Sequence, residues 1–191
     1  KSTESIDIDS LIHFNDDEPM ITNEKNMKSN DAGRKVMTLA EASEWRKRMK
    51  EQGKTLAVTN GCFDILHRGH VEYLNESAKL GDAMLLLVNS DASVRILKGE
   101  GRPLNDELSR AFVLCGLESV DAAVIFDCSD CHTELAALKP DIYVKGGDYT
   151  LDTLNKLERN ALLEAGTVIC FKPFVKGFST TNIIESAQKK S

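Results

Sequence analysis

The sequence contains no apolar run that approaches the ~18–20 residues a membrane-spanning helix needs. It also lacks the charged segment followed by an apolar one that marks a secretory signal peptide. We therefore expect no membrane partner. The chain begins with Lys1 instead of Met, and we expect it to be a fragment or a processed product of a longer protein.

An excess of basic residues is missing as well, since 24 Lys and Arg stand against 30 Asp and Glu, for a net charge of −6. Nucleic-acid-binding proteins usually carry a basic surface, so we expect no nucleic-acid partner. The five cysteines are an odd number, and several have apolar neighbours, which favours free thiols over a disulfide framework. This cysteine usage predicts a cytoplasmic protein.

Charge and composition divide the chain into two parts. Residues 1–32 contain eight acids and three bases, so they carry −5 and the other 159 residues only −1. Residues 1–35 are rich in Ser, Asn, Asp and Glu and show little periodicity, which is typical of a flexible acidic leader or linker. Residues 36–191 are long enough to form one globular domain with its own core.

Short apolar runs alternate with amphipathic segments along the second part. Five of the runs predict strands, and the segments between them predict helices of about 8–15 residues. This alternation is typical of an α/β fold with a doubly wound, five-stranded parallel sheet. The predicted strands are Thr55–Thr59, Ala83–Asn89, Ala122–Phe126, Ile142–Val144 and Thr167–Phe171.

Capping residues predict where several helices begin. Thr38 and Glu41 have the spacing of a capping box, which predicts a helix over Leu39–Glu51. Asn105 is expected to cap a helix over Asp106–Leu117. A further helix is expected over Leu151–Ala165, and Ser179 is expected to cap the last one.

The first predicted strand leads into a glycine-bearing turn and then a helix start that carries two histidines. Because i and i+3 share a helix face, the two rings should point the same way, and a glycine between them permits close approach to the backbone. Free N–H groups at a helix N-terminus favour anions. The stretch therefore predicts a site for nucleotide phosphates, made by Asn60, Gly61, Cys62, Phe63, His67, Gly69 and His70.

Polar and glycine-rich residues also follow three of the other predicted strands. Ligands of such sheets bind at the carboxyl ends of the strands, where the strand order reverses, so this coincidence predicts one composite site. Lys98 and Arg102 lie on a Gly-Pro loop where they could reach phosphates, and a surface ion pair is the alternative for Arg110. The remaining candidates are Asn89, Asp91, Lys145, Gly147, Asp148, Ser179, Thr180 and Thr181.

The segment Cys128–His132 matches the attachment motif of c-type haem. Haem attachment requires export and an axial-ligand pocket, and the sequence signals neither. A zinc site needs a fourth ligand, but no second Cys/His pair has suitable spacing. We therefore predict no metal site built from protein side chains.

The motif Gly61-Cys62-Phe63-Asp64 followed by His67-Arg68-Gly69-His70 resembles the GxFDxxHxGH signature of the nucleotidyltransferase, or cytidylyltransferase-like, superfamily. The resemblance covers residues 36–190 and implies a Rossmann-like nucleotidyltransferase fold. It is strongest to the adenylyltransferase domain of bifunctional heptose kinase/adenylyltransferases, which make ADP-heptose for the lipopolysaccharide inner core. The matching stretches are Thr59–His70, Val88–Ser93, Leu97–Gly99, Arg102-Pro103, Leu117–Asp121, Val144–Tyr149 and Ser179–Ile184.

A rival inside the superfamily is glycerol-3-phosphate cytidylyltransferase, which uses CTP. It typically has Arg-Thr-Glu-Gly before its Ser-Thr-Thr element, where this chain has Phe174–Phe178, and an arginine where Glu118 falls. Both differences favour D-glycero-β-D-manno-heptose 1-phosphate adenylyltransferase. A nucleotide-binding regulatory module that kept the fold and lost turnover is the non-enzymatic alternative.

The resemblance implies transfer of a nucleoside monophosphate from ATP, or CTP in the rival, to a sugar 1-phosphate with release of pyrophosphate. It implies catalytic roles for His67, His70 and Lys98, and contacts with the sugar phosphate for Asn89, Asp91, Gly147 and Asp148. Contacts with the nucleotide and its phosphates are implied for Asn60, Gly61, Cys62, Phe63, Gly69, Arg102, Arg110, Lys145, Ser179, Thr180 and Thr181.

The resemblance also implies a cofactor and partners. Mg²⁺ is expected, held mainly by the nucleotide phosphates, as this small ion usually is. We expect the chain to self-associate, because self-association is common in the superfamily. A sugar kinase domain, fused or separate, is the other expected partner.

Overall fold

The computed structural model describes residues 31–173 together with 180, 183 and 184. Residues 31–173 form seven helices and six strands. In chain order they are α1 (Ala32–Lys35), β1 (Val36–Met37), α2 (Leu39–Glu51), β2 (Leu56–Gly61), α3 (Arg68–Ala78), β3 (Ala83–Asn89), α4 (Asp91–Lys98), α5 (Glu107–Cys115), β4 (Ala122–Phe126), α6 (His132–Leu138), β5 (Ile142–Gly146), α7 (Lys156–Glu164) and β6 (Val168–Lys172).

The six strands form one parallel sheet in the order β1-β4-β3-β2-β5-β6. β2 lies in the middle, where Val58 is paired with Leu85 of β3 on one side and with Tyr143 of β5 on the other. The predicted doubly wound α/β fold is confirmed, but the predicted number of five strands is wrong. β1 has only two residues, too few to show the alternation that identifies a strand in a sequence.

Helices cover both faces of the sheet, and β3 shows how its sequence provides for this. Leu85 and Leu87 pack in one core with residues of α2, α6 and α7, whereas Met84, Leu86 and Val88 pack in a second core with residues of α3 and α5. All five side chains are fully buried. A strand buried on both faces reads as a continuous apolar run, which is why this strand is predicted with its observed bounds.

Capping explains where the predicted helix boundaries are right and where they are wrong. Thr38 and Glu41 form the predicted capping box at the start of α2. Asp106, and not Asn105, caps α5. The helix predicted from Leu151 begins only at Lys156, because the Asn155 side chain accepts the N–H groups of the first helical turn. The predicted cap Ser179 lies outside the described residues.

The described structure begins inside the segment predicted to be a leader. Asp31 caps α1, and Lys35 donates a hydrogen bond of 2.7 Å to the Val120 carbonyl. A compact unit spans Asp31–Ser191. The predicted boundary at residue 35 and the flexibility of the leader stay predictions. None of the described helices combines the length and apolar character that crossing a bilayer requires.

Aspartates fasten neighbouring strands at the edge of the sheet opposite to the strand carboxyl ends. Asp82, Asp121 and Asp141 each precede a strand and each accept a backbone N–H from the neighbouring strand, at 2.7–2.8 Å. Each also donates its own N–H to a carbonyl of that neighbour. Asp141 additionally pairs at 2.9 Å with Arg46, whose side chain is 6% exposed. These reciprocal bonds set the register in which the strands enter the sheet.

We expect Asp141→Ala to lower the free energy of unfolding by about 2–4 kcal/mol, because it leaves the buried Leu56 N–H without its acceptor and the buried Arg46 guanidinium without its carboxylate partner. Urea unfolding followed by circular dichroism measures the change. Asp82→Ala is the matched control, since it removes a similar backbone acceptor without an arginine partner and should cost less. Equal losses in the two variants would contradict this account of Asp141.

Candidate functional site

From β2 the chain continues to β3 and β4 on one side of the sheet, and then crosses to β5 and β6 on the other side of β2. The strand order therefore reverses at β2. In open α/β sheets the ligand crevice lies outside the strand ends at this position. The structure brings the two predicted loops together there, because Lys145 Nζ of β5 donates to Asn60 Oδ1 of β2 at 2.8 Å. The residues that follow β2 and β5 therefore belong to one site.

The turn after β2 has an unusual backbone. Phe63 adopts a positive φ of 45°, a conformation that few non-glycine residues take. A Cβ on Gly61 would lie 3.0 Å from the Phe63 ring, so glycine leaves room for this ring. The ring in turn meets His70 edge to face, with centroids 5.3 Å apart. The turn is thus locked between β2 and the start of α3.

The two histidines lie together, as their spacing predicts. His67 caps α3, where its Nδ1 accepts the His70 N–H at 3.4 Å, and the two rings stack with centroids 3.8 Å apart. Gly69 between them is buried. Nδ1 of His70 is itself buried and makes no hydrogen bond within the described part of the chain. The pair therefore offers imidazole groups at a helix N-terminus, where anions are favoured.

Burial lowers the pKa of His70 to about 4, and neighbouring His67 and Lys98 act in the same direction against a smaller opposite effect of the Ile65 carbonyl. Burial also lowers the pKa of His67 from its ordinary value of 6.5. Both rings are consequently neutral near neutral pH. A neutral imidazole donates one hydrogen bond and accepts another, so these rings can donate to an anion without carrying a charge themselves.

Arg102, predicted to contact phosphate, is paired with Asp64. Its guanidinium donates to the carboxylate, which is buried and also accepts the Leu104 N–H at 2.7 Å. Burial alone would raise the pKa of Asp64, but the hydrogen bonds from Leu104 and Arg102 outweigh it and lower this pKa. Asp64 thus ties the loop after α4 to the turn after β2.

Arg110 is buried and donates a hydrogen bond to the backbone of the same turn. Its guanidinium donates to the Cys62 carbonyl at 2.6 Å, to Asp91 at 2.8 Å and to the Asn105 carbonyl at 3.0 Å, and its side chain is 0% exposed. This geometry favours the ion pair over the phosphate contact, but the pair joins a buried arginine to a half-buried aspartate and is not the surface pair that the alternative supposed. Asp91 is the partner, so its contact with a sugar phosphate stays a prediction.

Asn89, predicted to bind substrate, is only 3% exposed. Its Nδ2 donates to Ser93 at 2.6 Å and its Oδ1 accepts the Cys62 thiol at 3.8 Å. Burial raises the pKa of this thiol, although Lys98 and Arg110 act against it. Asn89 accordingly links the end of β3 to the turn after β2, and this is the role that its contacts support.

Lys145 lies among oxygen atoms of the protein. Besides Asn60 it contacts the Tyr143 hydroxyl at 3.2 Å and Glu158 at 3.4 Å, and it lies 5.2 Å from the centre of the Tyr149 ring. Its contact with nucleotide stays a prediction. The backbone at Gly147 has a φ of 118° and Asp148 beside it is exposed; both directly follow the end of β5, and their contacts with the sugar phosphate stay predictions.

Two of the predicted residues near the chain end, Ser179 and Thr181, lie outside the described residues. Thr180 is described as helical and half-buried. Lys98 ends α4, and its charge acts on both His70 and Cys62. Lys98 makes no ion pair with any described residue, in contrast to Arg102, Arg110 and Lys145, so its charge is the one most available to an anion.

Residues that the sequence did not single out hold the predicted ones in place. They are Asp64, Tyr143 and Glu158. Asp64 belongs to the motif but was given no role of its own. Glu158 had a detectable signal, because it stands four residues after Leu154 and four before Leu162, which is the spacing of one face of the helix predicted from Leu151. A carboxylate on an apolar face requires a partner.

We expect the His70 ring to stay neutral as the pH falls through 6.5 and to take up a proton only near its pKa of about 4. Because the unfolded chain binds this proton at the ordinary pKa, His70 should make stability fall as the pH drops through that window. NMR titration of the imidazole signals, assigned with His70→Gln, measures the midpoint. A midpoint at 6.5 would show that the ring is not buried as described.

Comparison with known proteins places these residues in a family. The cytidylyltransferase-like family matches residues 58–186. The bifunctional protein HldE of Methylococcus capsulatus is 45% identical over 153 residues, which are 80% of this chain and 32% of that protein. HldE of Pelobacter propionicus is 51% identical over 137 residues, 71% of this chain and 28% of that protein. The chain thus spans about a third of the length of these curated relatives.

Solved structures agree with this placement. The lipopolysaccharide core biosynthesis protein from Thermoplasma volcanium has a TM-score of 0.54 and 31% identity, over 66% of this chain and 100% of that one. Pantoate-beta-alanine ligase from Francisella tularensis has a TM-score of 0.51 over 80% of this chain and 76% of that one, but at 12% identity it shows the fold alone. With the family matched over more than half of its length, including the turn after β2 and both histidines, the chain belongs to the cytidylyltransferase-like family.

Proposed function

We propose that the chain is the nucleotidyltransferase part of a heptose 1-phosphate adenylyltransferase, which transfers an adenylyl group from ATP to the sugar phosphate and releases pyrophosphate. The observation that carries the proposal is the stacked pair His67 and His70 at the start of α3, beside the turn after β2. The relatives named HldE and the structural relative named for lipopolysaccharide core biosynthesis support the heptose branch and ADP-heptose as the product.

The reaction needs no nucleophile from the protein. An oxygen of the sugar phosphate, ionised near neutral pH, attacks the α-phosphorus of ATP. The bond from that phosphorus to the bridging oxygen of the β-phosphate breaks, and pyrophosphate leaves with the electron pair. Catalysis then consists of positioning and of stabilising the charge on the five-coordinate α-phosphate.

The residues at the end of β2 suit these tasks. The neutral rings of His67 and His70 can donate hydrogen bonds to the α- and β-phosphates without the cost of changing their protonation state. Lys98, whose charge reaches His70, would balance the charge of the leaving pyrophosphate. The backbone N–H groups of the turn, held by Phe63 and Arg110, would contact the same phosphates.

Mg²⁺ would arrive with the nucleotide and neutralise part of the triphosphate charge. Among the described residues no three His, Cys, Asp or Glu side chains gather where they could hold a metal ion. In nucleotide sites this cation is usually carried by phosphate oxygens and water, and the same arrangement is proposed for this chain.

The relatives' greater length supports a sugar kinase domain, fused or separate, as the supplier of the sugar 1-phosphate. Self-association is supported by the exposed apolar side chains Leu108, Phe112 and Val113 of α5, which are all more than half exposed. The cytoplasm would be the compartment that provides ATP, and the cysteines in the described part of the chain are free thiols.

Substrate choice is tested by pyrophosphate release with ATP, CTP or GTP against heptose 1-phosphate and glycerol 3-phosphate. We expect turnover with ATP and heptose 1-phosphate. Turnover with CTP and glycerol 3-phosphate would support the rival transferase instead. Nucleotide binding without turnover on any pair would support the regulatory module.

We expect His67→Ala and His70→Ala each to lower kcat by about 10²–10³, the usual effect of losing one preorganised donor, while circular dichroism shows an intact fold. Steady-state kinetics of pyrophosphate release measures the change. His132→Ala is the control, because this ring pairs with Asp130 at the start of α6 and should leave kcat near that of the wild type. Near-normal turnover in His70→Ala would rule out the proposed role of that ring.

A further inference from the structure

The carboxylate of Glu158 is the starting point. Glu158 lies in the first turn of α7 on the face that also carries Leu162, and it is only 3% exposed. A buried carboxylate is costly unless it is paired and hydrogen-bonded. The groups that contact the Glu158 carboxylate therefore indicate its structural role.

Each oxygen of this carboxylate has its own partners. Oε1 accepts the backbone N–H of Cys131 at 3.2 Å and its thiol at 3.3 Å. Oε2 pairs with Lys145 Nζ at 3.4 Å. Cys131, for which the sequence predicts no role, is thus one of the two groups that anchor Glu158, and Lys145 is the other.

Lys145 connects Glu158 to Asn60 near the end of β2. Its ammonium has three N–H donors, and the structure offers it three oxygens, those of Glu158, Tyr143 and Asn60. The Tyr143 hydroxyl also donates to Asn60 Oδ1, at 2.8 Å. Asn60 directly precedes Gly61, the last residue of β2 before the turn that leads to the histidines. A continuous polar chain therefore runs from α6 and α7 to this turn.

We propose that Glu158 is a positioning residue that fixes the turn at residues 60–64 through Lys145. On this account the Lys145 ammonium serves mainly to clamp Asn60, and direct contact with a phosphate is secondary. The structural part of the proposal stands on the contacts alone. Its consequence for kcat rests on the proposed function.

Hydrogen exchange followed by mass spectrometry tests the structural part without any substrate. Glu158→Gln keeps the size of the side chain and removes its charge, and Lys145→Met removes the ammonium. In each variant we expect amides of residues 60–64 to exchange about tenfold faster, the effect of losing roughly one charged hydrogen bond from the closed state. Peptides from β3 and from α7 itself should be unchanged, and the double variant should be no faster than Lys145→Met.

Glu164→Gln is the matched control, because it makes the same chemical change at an exposed position at the end of α7. It should leave exchange everywhere as in the wild type. If Glu158→Gln does not fold, Tyr143→Phe replaces it, since it removes only the hydroxyl between Lys145 and Asn60. Unchanged exchange at residues 60–64, or faster exchange confined to α7, would overturn the proposal.

A kinetic cycle on the same variants tests the consequence. Glu158→Gln should lower kcat about tenfold in the wild-type background, with little change in KM, but less than about twofold when Lys145 is already Met. An equal effect in both backgrounds would show that Glu158 does not act through Lys145. Absence of turnover in the wild type would count against the proposed function and leave the exchange result to decide the positioning role.

Discussion

The backbone turn at the end of β2 is the constraint on which the site depends. Phe63 holds a positive φ, and a Cβ on Gly61 would crowd the Phe63 ring at 3.0 Å. That ring then supports His70, while the carbonyl of Cys62 points to the guanidinium of Arg110. A site that works by positioning needs its backbone held within a fraction of an ångström, and these contacts supply that restraint before any ligand is present.

Charge around the turn is arranged so that most cations already have partners. Arg102 pairs with Asp64, Arg110 with Asp91 and Lys145 with Glu158. Arg102 reaches the turn through Asp64 itself, whereas Arg110 and Lys145 also donate to Cys62 and Asn60, so all three paired cations are part of the frame around the site. Within the described part of the chain Lys98 stays unpaired beside two neutral histidines. Such a site can bind a triphosphate with its large negative charge, even though the net charge of the protein is also negative.

The sequence predicts the fold and the centre of the site because both are local. The apolar run of β3, the capping box of Thr38 and Glu41, and the i, i+3 spacing of the histidines all depend on residues close in the chain. Most of what it missed depends on distant pairs. In the sequence Arg110 is a possible phosphate contact, and only the structure shows that it bonds to Asp91 and Cys62. Glu158 and its partner Lys145 are 13 positions apart in the chain. The two-residue strand β1 was missed for the same reason, since its pairing with the distant β4 defines it. The late start of α7 was missed for a local reason, because the Asn155 cap was overlooked.

Transfer of label from ATP carrying ³²P at the α-phosphate tests the central claim most directly. If the site acts by positioning alone, rapid quenching of the reaction with heptose 1-phosphate should show the label passing from ATP to ADP-heptose, with none attached to the protein at any time. Label on the protein would reveal a protein nucleophile and contradict the account, and so would the absence of any labelled ADP-heptose.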